Sequence, residues 1–182
     1  MFFRLLLALP HIVWVILWTI AAWVVAIIVW FATLFTGRPP RALHAFLSHY
    51  VRYALHVSAF IYLAANPFPG FDGREGVYPL DLVLPAPARQ NRWKTGFRII
   101  LAIPAIIVNS ALGWALLVCA IYTWFVALIR GSAPWGLRNL MAYGLRYAAQ
   151  LNAYLYLITD TYPHASPLEG AAPPPVPAHE AQ

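Results

Sequence analysis

Two arginines and two histidines stand out because an otherwise apolar chain places them at helical spacing. Ser48, His49, Arg52 and His56 fall on one stripe of a 3.6-residue wheel, flanked by Ala45 and Ala59. A second stripe further along reads Asn139, Ala142, Tyr143, Arg146, Gln150 and Ala153. A guanidinium can grip a carboxylate or phosphate through two parallel hydrogen bonds. At the centre of a membrane helix it costs about 2.5–3.5 kcal/mol, so two at matched positions need a reason. One reason is binding. Arg52 with His49 and His56, and Arg146 with Tyr143 and Gln150, would then receive an anionic solute or a lipid head group. The other reason is structural. The arginines would snorkel to a nearby turn, satisfy helix carbonyls freed at Pro10 and Pro104, or belong to amphipathic helices lying flat at the interface.

Catalysis has less to stand on. All carboxylates lie outside the apolar runs, Asp160 coming closest, and no nucleophile has a partnered base. There is no CxxC pair and no phosphate loop. The single Cys119 reads as a small buried hydrophobe. His11, His49 and His56 show no metal-ligand spacing, so neither a metal nor a cofactor is expected. His11 beside Pro10, and Asn109 a turn beyond Pro104, read as partners for the carbonyls those prolines release. The expectation is a protein that is not an enzyme.

The elements that must position these residues come from a duplication. Residues 3–69 align without a gap on 97–163, and roughly a third of the positions are identical. Arg4 pairs with Arg98, Pro10 with Pro104, Trp30 with Trp124, Gly37 with Gly131, Arg52 with Arg146 and Tyr62 with Tyr156. The 182 residues are 62% hydrophobic and only 10% charged, which indicates a bilayer as solvent. The net charge of +6 comes from basic residues scattered at the ends of apolar runs, a pattern that suits anionic lipid and not nucleic acid. The lipid bilayer, anionic lipids and other membrane proteins are therefore the partners to expect.

Residues 11–35 and 105–129 are each long enough to cross the roughly 30 Å hydrocarbon core. Gly37 and Gly131, each followed by proline, stop them. The spacing predicts helices over about 3–35, 41–65, 92–129 and 135–159. These give an all-α integral membrane fold of four transmembrane helices, built as two copies of a helical hairpin (1–69 and 95–163) in parallel relation. The linker 70–94 is proline- and glycine-rich, with a loosely alternating piece over 77–85 that could form an edge strand. The tail 164–182 is Pro/Ala-rich and reads as disordered. Both ends and the linker would share one side of the membrane. Arg38, Arg41, Arg130 and Arg138 would face Arg4, Arg74, Arg89, Arg92 and Lys94 across it, a balance leaning slightly to cytoplasmic turns.

Several stretches also resemble a known family. They are Leu7-Ala8-x-Pro10-His11, then Trp30-Phe31-Ala32-x-Leu34-Phe35-Thr36-Gly37-Arg38-x-Pro40-Arg41, and Arg52-x-x-Leu55-x-Val57-x-Ala59. Together with Tyr78-Pro79 and Arg92-Trp93 in the linker, this frame is similar to the bacterial family called domain of unknown function 4389. The second copy departs from it, with Ala105 after its proline and Ile129-Arg130-Gly131-Ser132 at its turn. The first copy departs where Asn66-Pro67-Phe68-Pro69 replaces the family's Asp-x-Tyr-Pro, kept as Asp160-Thr161-Tyr162-Pro163. The resemblance implies a multi-pass protein of the bacterial inner membrane and carries no established activity. A structural or accessory subunit is the function expected, with anion binding or permeation as the alternative.

Overall fold

The structure is a computed structural model and describes residues 4–164. Its regular elements are all helices, with α1 over Arg4–Thr36, α2 over Arg41–Ile61, α3 over Arg92–Gly96, α4 over Arg98–Arg130 and α5 over Trp135–Leu155. The tail expected to be disordered lies outside the described residues beyond His164. No strand forms among the described residues, so the edge strand expected over 77–85 is corrected. Pro79 and Pro85 deny that stretch two backbone donors, and no neighbouring strand offers a ladder.

Why the helices stop where they do is the same in both copies. At Gly37 and Gly131 the backbone turns left-handed (φ 74° and 75°) and the glycine N–H bonds back to Thr33 and Ala127. Leu63 and Leu157 also turn left-handed (φ 59° each), ending α2 and α5 short of the predicted 65 and 159. A leucine tolerates that conformation only under compensation; both side chains are buried. The single helix expected over 92–129 is divided at Phe97, whose backbone leaves helical geometry (φ −96°, ψ 12°). α3 is instead capped by the Asn91 side chain, which accepts from the Trp93 N–H. Pro10 and Pro104 sit at matched places inside α1 and α4, and both helices continue through them.

α1 packs on α2, α4 on α5, and α2 on α5, giving a four-helix layer in the order α1, α2, α5, α4. The central seam joins Leu47, Val51, Leu55 and Ala59 of α2 to Met141, Leu145, Ala149 and Ala153 of α5, all buried. Each set runs at i, i+4, the ridge spacing that interlocks two helices. Each residue of one set also matches its counterpart in the duplication. The layer balances size as well: Leu116 closes on Gly144, where the first copy has Ala22 and Tyr50.

α2 and α5 run antiparallel. His44, in the first turn of α2, donates from Nε2 to the Ile158 carbonyl just past the end of α5 (3.1 Å). Arg138 near the start of α5 reaches the Ala64 carbonyl just past the end of α2 (3.5 Å). The two hairpins are thus head to tail, and the expected parallel relation is corrected. Residues 62–91 consequently run the length of α2, from its C-terminal end back to the α1–α2 turn, where the Gln90 N–H bonds to the Gly37 carbonyl (2.9 Å). The physical reason is that Glu75 and Asp81 of this segment find their counter-charge, Arg52, on α2.

Between their ends, the outer faces of α1 and α4 are apolar apart from Ser110 on α4, whose hydroxyl bonds back to the Ile106 carbonyl. Val13, Ile16, Ile20, Trp23, Ile27 and Phe31 are exposed on α1, and Ile103, Ile107, Trp114, Val118, Ile121 and Phe125 on α4. Two helices, Leu6–Thr36 and Arg98–Arg130, are long and apolar enough to cross a membrane.

Candidate functional site

Arg52 is buried on α2, and the linker supplies its anions. Its Nη2 donates to Glu75 Oε2 at 2.6 Å and its Nε to the Leu82 carbonyl at 3.3 Å, with Asp81 Oδ1 at 3.8 Å. Asp81 is held in place by the Gly76 and Leu82 N–H groups (2.6 and 2.7 Å). His56, one helical turn on, stacks against Tyr78 with ring centroids 4.7 Å apart and lies 3.5 Å from Asp81. The close approach of linker to helix is made at Gly73, where a side-chain carbon would fall 2.2 Å from the His49 carbonyl oxygen. Asp72 and Arg74 pair with each other beside it, fully at the surface (2.6 Å).

This arrangement uses part of the predicted site and disperses the rest. Arg52 and His56 meet, but around carboxylates of the chain itself. His49 lies exposed one turn away. On α5, Tyr143, Arg146 and Gln150 are half-buried, and Gln150 Oε1 accepts from the His164 N–H (3.1 Å). Arg146 has a buried Nε with no hydrogen-bond partner among the described residues. His11 does not serve a carbonyl released by Pro10. Its Nδ1 bonds to the Tyr53 hydroxyl (2.7 Å) and its ring stacks on Phe71. No hydrogen bond from the Asn109 side chain is present among the described residues to do so at Pro104. No group of three metal-ligating side chains converges among the described residues.

Two arginines that the stripe argument passed over are engaged at the helix ends. Arg4 donates to the Phe60 carbonyl (2.8 Å), the Ala65 carbonyl and Asn66 Oδ1 (3.4 Å), with its guanidinium over the Phe60 ring. Arg98 donates to the Tyr154 and Thr159 carbonyls, to Gln90 Oε1 and to Asp160, with its guanidinium over the Tyr154 ring. The duplication held the signal, since 4, 60 and 66 map onto 98, 154 and 160. Asn66 against Asp160 is the departure noted between the copies, and it decides whether the anchor is neutral or an ion pair. Asn66→Asp is therefore expected to stabilise the first hairpin by up to about 1 kcal/mol, read as a higher melting midpoint in detergent, because both groups remain partly in water.

Burial holds the His56 imidazole below its ordinary range, against the opposing pull of Asp81, and burial likewise lowers His44. The unfolded chain then binds more protons than the folded one once pH drops below the ordinary histidine value near 6.5. Stability is full above that value and is lost as pH falls through it. Thermal melts between neutral and mildly acidic pH are expected to show a falling midpoint, less steep in His56→Gln.

The family model for domain of unknown function (DUF4389) matches residues 1–71 and again residues 92–166. The chain belongs to this family. Its two DUF4389 segments are the two hairpins, and the unmatched stretch between them is the linker that lies along α2. No curated protein and no solved structure matches this DUF4389 chain.

Proposed function

We propose that this protein is a non-enzymatic accessory subunit held in the bacterial inner membrane by the outer faces of α1 and α4, offering its linker face to partners. The observation that carries the reading is the apolar exposure of those two helices over most of their length. Nearly every buried charge, meanwhile, is matched within the chain. Arg52 and Arg98 are paired with carboxylates and Arg4 caps a helix end, which leaves little machinery for turnover.

The orientation that fits best is a layer lying in one leaflet. Trp23 and Trp114 are 63% and 72% exposed near the middle of their helices, whereas crossing helices collect tryptophan at their two ends. A bilayer-crossing layer would also draw residues 62–91 through hydrocarbon. That segment has no helix or sheet to satisfy its backbone and carries the exposed Asp72–Arg74 pair. Such a passage is tolerated only where protein or water surrounds it. Four crossings remain the competing arrangement, favoured by the length of α1 and α4.

The two turns separate these arrangements. Antiparallel hairpins put Gly37 and Gly131 at opposite ends of the layer. Cysteines introduced at Arg38 and Ser132 of a Cys119→Ala chain should both label from one compartment if the layer lies flat. Labelling from opposite compartments would establish crossing and remove the one-leaflet reading. For the accessory role, purification in mild detergent should bring down a companion protein; the chain alone under all conditions would count against it.

A second reading, anion binding on α5, draws on the unpartnered Nε of Arg146 next to Tyr143 and Gln150. Arg146→Gln with unchanged co-purified lipid and unchanged anion flux would remove it.

A further inference from the structure

The antiparallel relation brings together basic residues that the sequence placed on opposite sides of the membrane. Arg38 and Arg41 belong to the α1–α2 turn, while Arg89, Arg92 and Lys94 come from the end of the linker and from α3. The Gln90 N–H to Gly37 carbonyl bond ties the two segments, and the Trp30 indole N–H bonds to the Thr95 carbonyl (2.9 Å) just behind. Arg89 and Arg92 both fold over Gly37. A side-chain carbon there would lie 3.6 Å from Arg92 Nε and 3.8 Å from Arg89 Nε. Two guanidinium groups thus share one glycine, with Arg38 the next residue in the chain.

Like charges gathered this closely repel unless an anion lies between them. None of these five side chains has a hydrogen bond or ion pair among the described residues. Asp160, the carboxylate that bonds to the neighbouring Asn91 N–H, is committed to Arg98. Beside the cluster, Trp93 (78% exposed) and Phe97 stack on each other at the surface, as aromatic rings do at the depth of lipid head groups. The matching turn of the second copy lacks the arrangement, since nothing approaches Gly131 within 4 Å.

We propose that Arg38, Arg89 and Arg92 around Gly37 form a binding site for the phosphodiester of an anionic phospholipid, with Arg41 and Lys94 adding charge and Trp93 meeting the acyl–head-group boundary. Arginine suits this anion because its planar fork matches phosphate oxygens in pairs. The site rests on the membrane-held reading, but on neither orientation within it, because head groups meet this end of the layer in both.

The test is native mass spectrometry of the full chain after delipidation in detergent, titrated with phosphatidylglycerol, with phosphatidylcholine, and with inorganic phosphate as competitor. Wild type is expected to retain one phosphatidylglycerol in preference to phosphatidylcholine. Retention should weaken about fivefold for each of Arg89→Gln and Arg92→Gln. It should stay unchanged in Arg130→Gln at the opposite end. These arginines are exposed, so the fold is not at stake, and an unchanged circular dichroism melt verifies that. Equal retention by Arg89→Gln/Arg92→Gln, or no preference over phosphatidylcholine, overturns the site. Displacement of the lipid by inorganic phosphate at comparable concentration overturns its lipid identity. Alkaline carbonate extraction of wild-type membranes runs alongside. Release into the supernatant would sink the membrane-held reading, whereas a chain that stays membrane-bound but shows no lipid preference would sink the site alone.

Discussion

Arg98→Met is expected to lower stability by about 3–5 kcal/mol, a large share of what holds a domain of this size together. The residue is 1% exposed and its side chain serves four acceptors on three segments: the end of α5, the Thr159–Asp160 exit and Gln90 of the linker. Methionine fills much of the volume, so the loss is one of donors and not of packing. The Thr159 carbonyl loses its arginine donor, Asp160 loses its counter-charge and keeps only the Asn91 N–H, and the Tyr154 carbonyl keeps only the Leu157 N–H. Thermal unfolding in detergent measures it. Removing the orphaned acid as well, in Arg98→Met/Asp160→Leu, should restore part of the loss, because an uncompensated charge is worse than no charge. A midpoint within a degree of wild type for the single variant would show that the anchor carries no weight. Arg4→Met, its counterpart on the more open first copy, should cost less.

Gly73→Ala comes next. The residue adopts φ 59°, a conformation that costs an L residue about 1–2 kcal/mol by itself. The added carbon would also meet the His49 carbonyl oxygen at 2.2 Å, a rigid helix atom that cannot swing aside. The linker must lift off α2, and lifting withdraws Glu75 and Asp81 from Arg52. Trypsin cleavage after the exposed Arg74 should therefore accelerate in Gly73→Ala, with the helices still folded by circular dichroism. An unchanged cleavage rate would mean that the linker's seat on α2 does not depend on this contact. Glu75→Gln, by comparison, should cost under about 1 kcal/mol, since that carboxylate is more than half exposed.

What the sequence made legible was mostly local. Glycine followed by proline marked both hairpin turns, and apolar length marked α1 and α4, because those signals act within a few residues. The matched arginines of α2 and α5 stood out as expensive groups in need of partners; Arg52 has them on the linker, whereas Arg146 Nε has none among the described residues. The partners of Arg52 were not legible. Glu75 and Asp81 are separated from Arg52 by a turn and a coil, and no periodicity reports where a coil folds back. The direction of the second hairpin relative to the first was hidden for a related reason. The parallel relation assumed a connector that stays at one end of the helices, and a linker that doubles back along α2 removes that assumption. Arg4 and Arg98 were visible as a repeated pair. Their role emerged only when the ends of α2 and α5 arrived beside them.

The interlocking of Leu47, Val51, Leu55 and Ala59 with their own counterparts has a consequence for how such a molecule could arise. A surface that meets its own duplicate head to tail is self-complementary, so a single hairpin already carries everything needed to form a symmetric homodimer. Fusing two such genes would demand only a connector long enough to travel from one end of the pair to the other. Separately expressed halves, split within that connector, should accordingly find each other again.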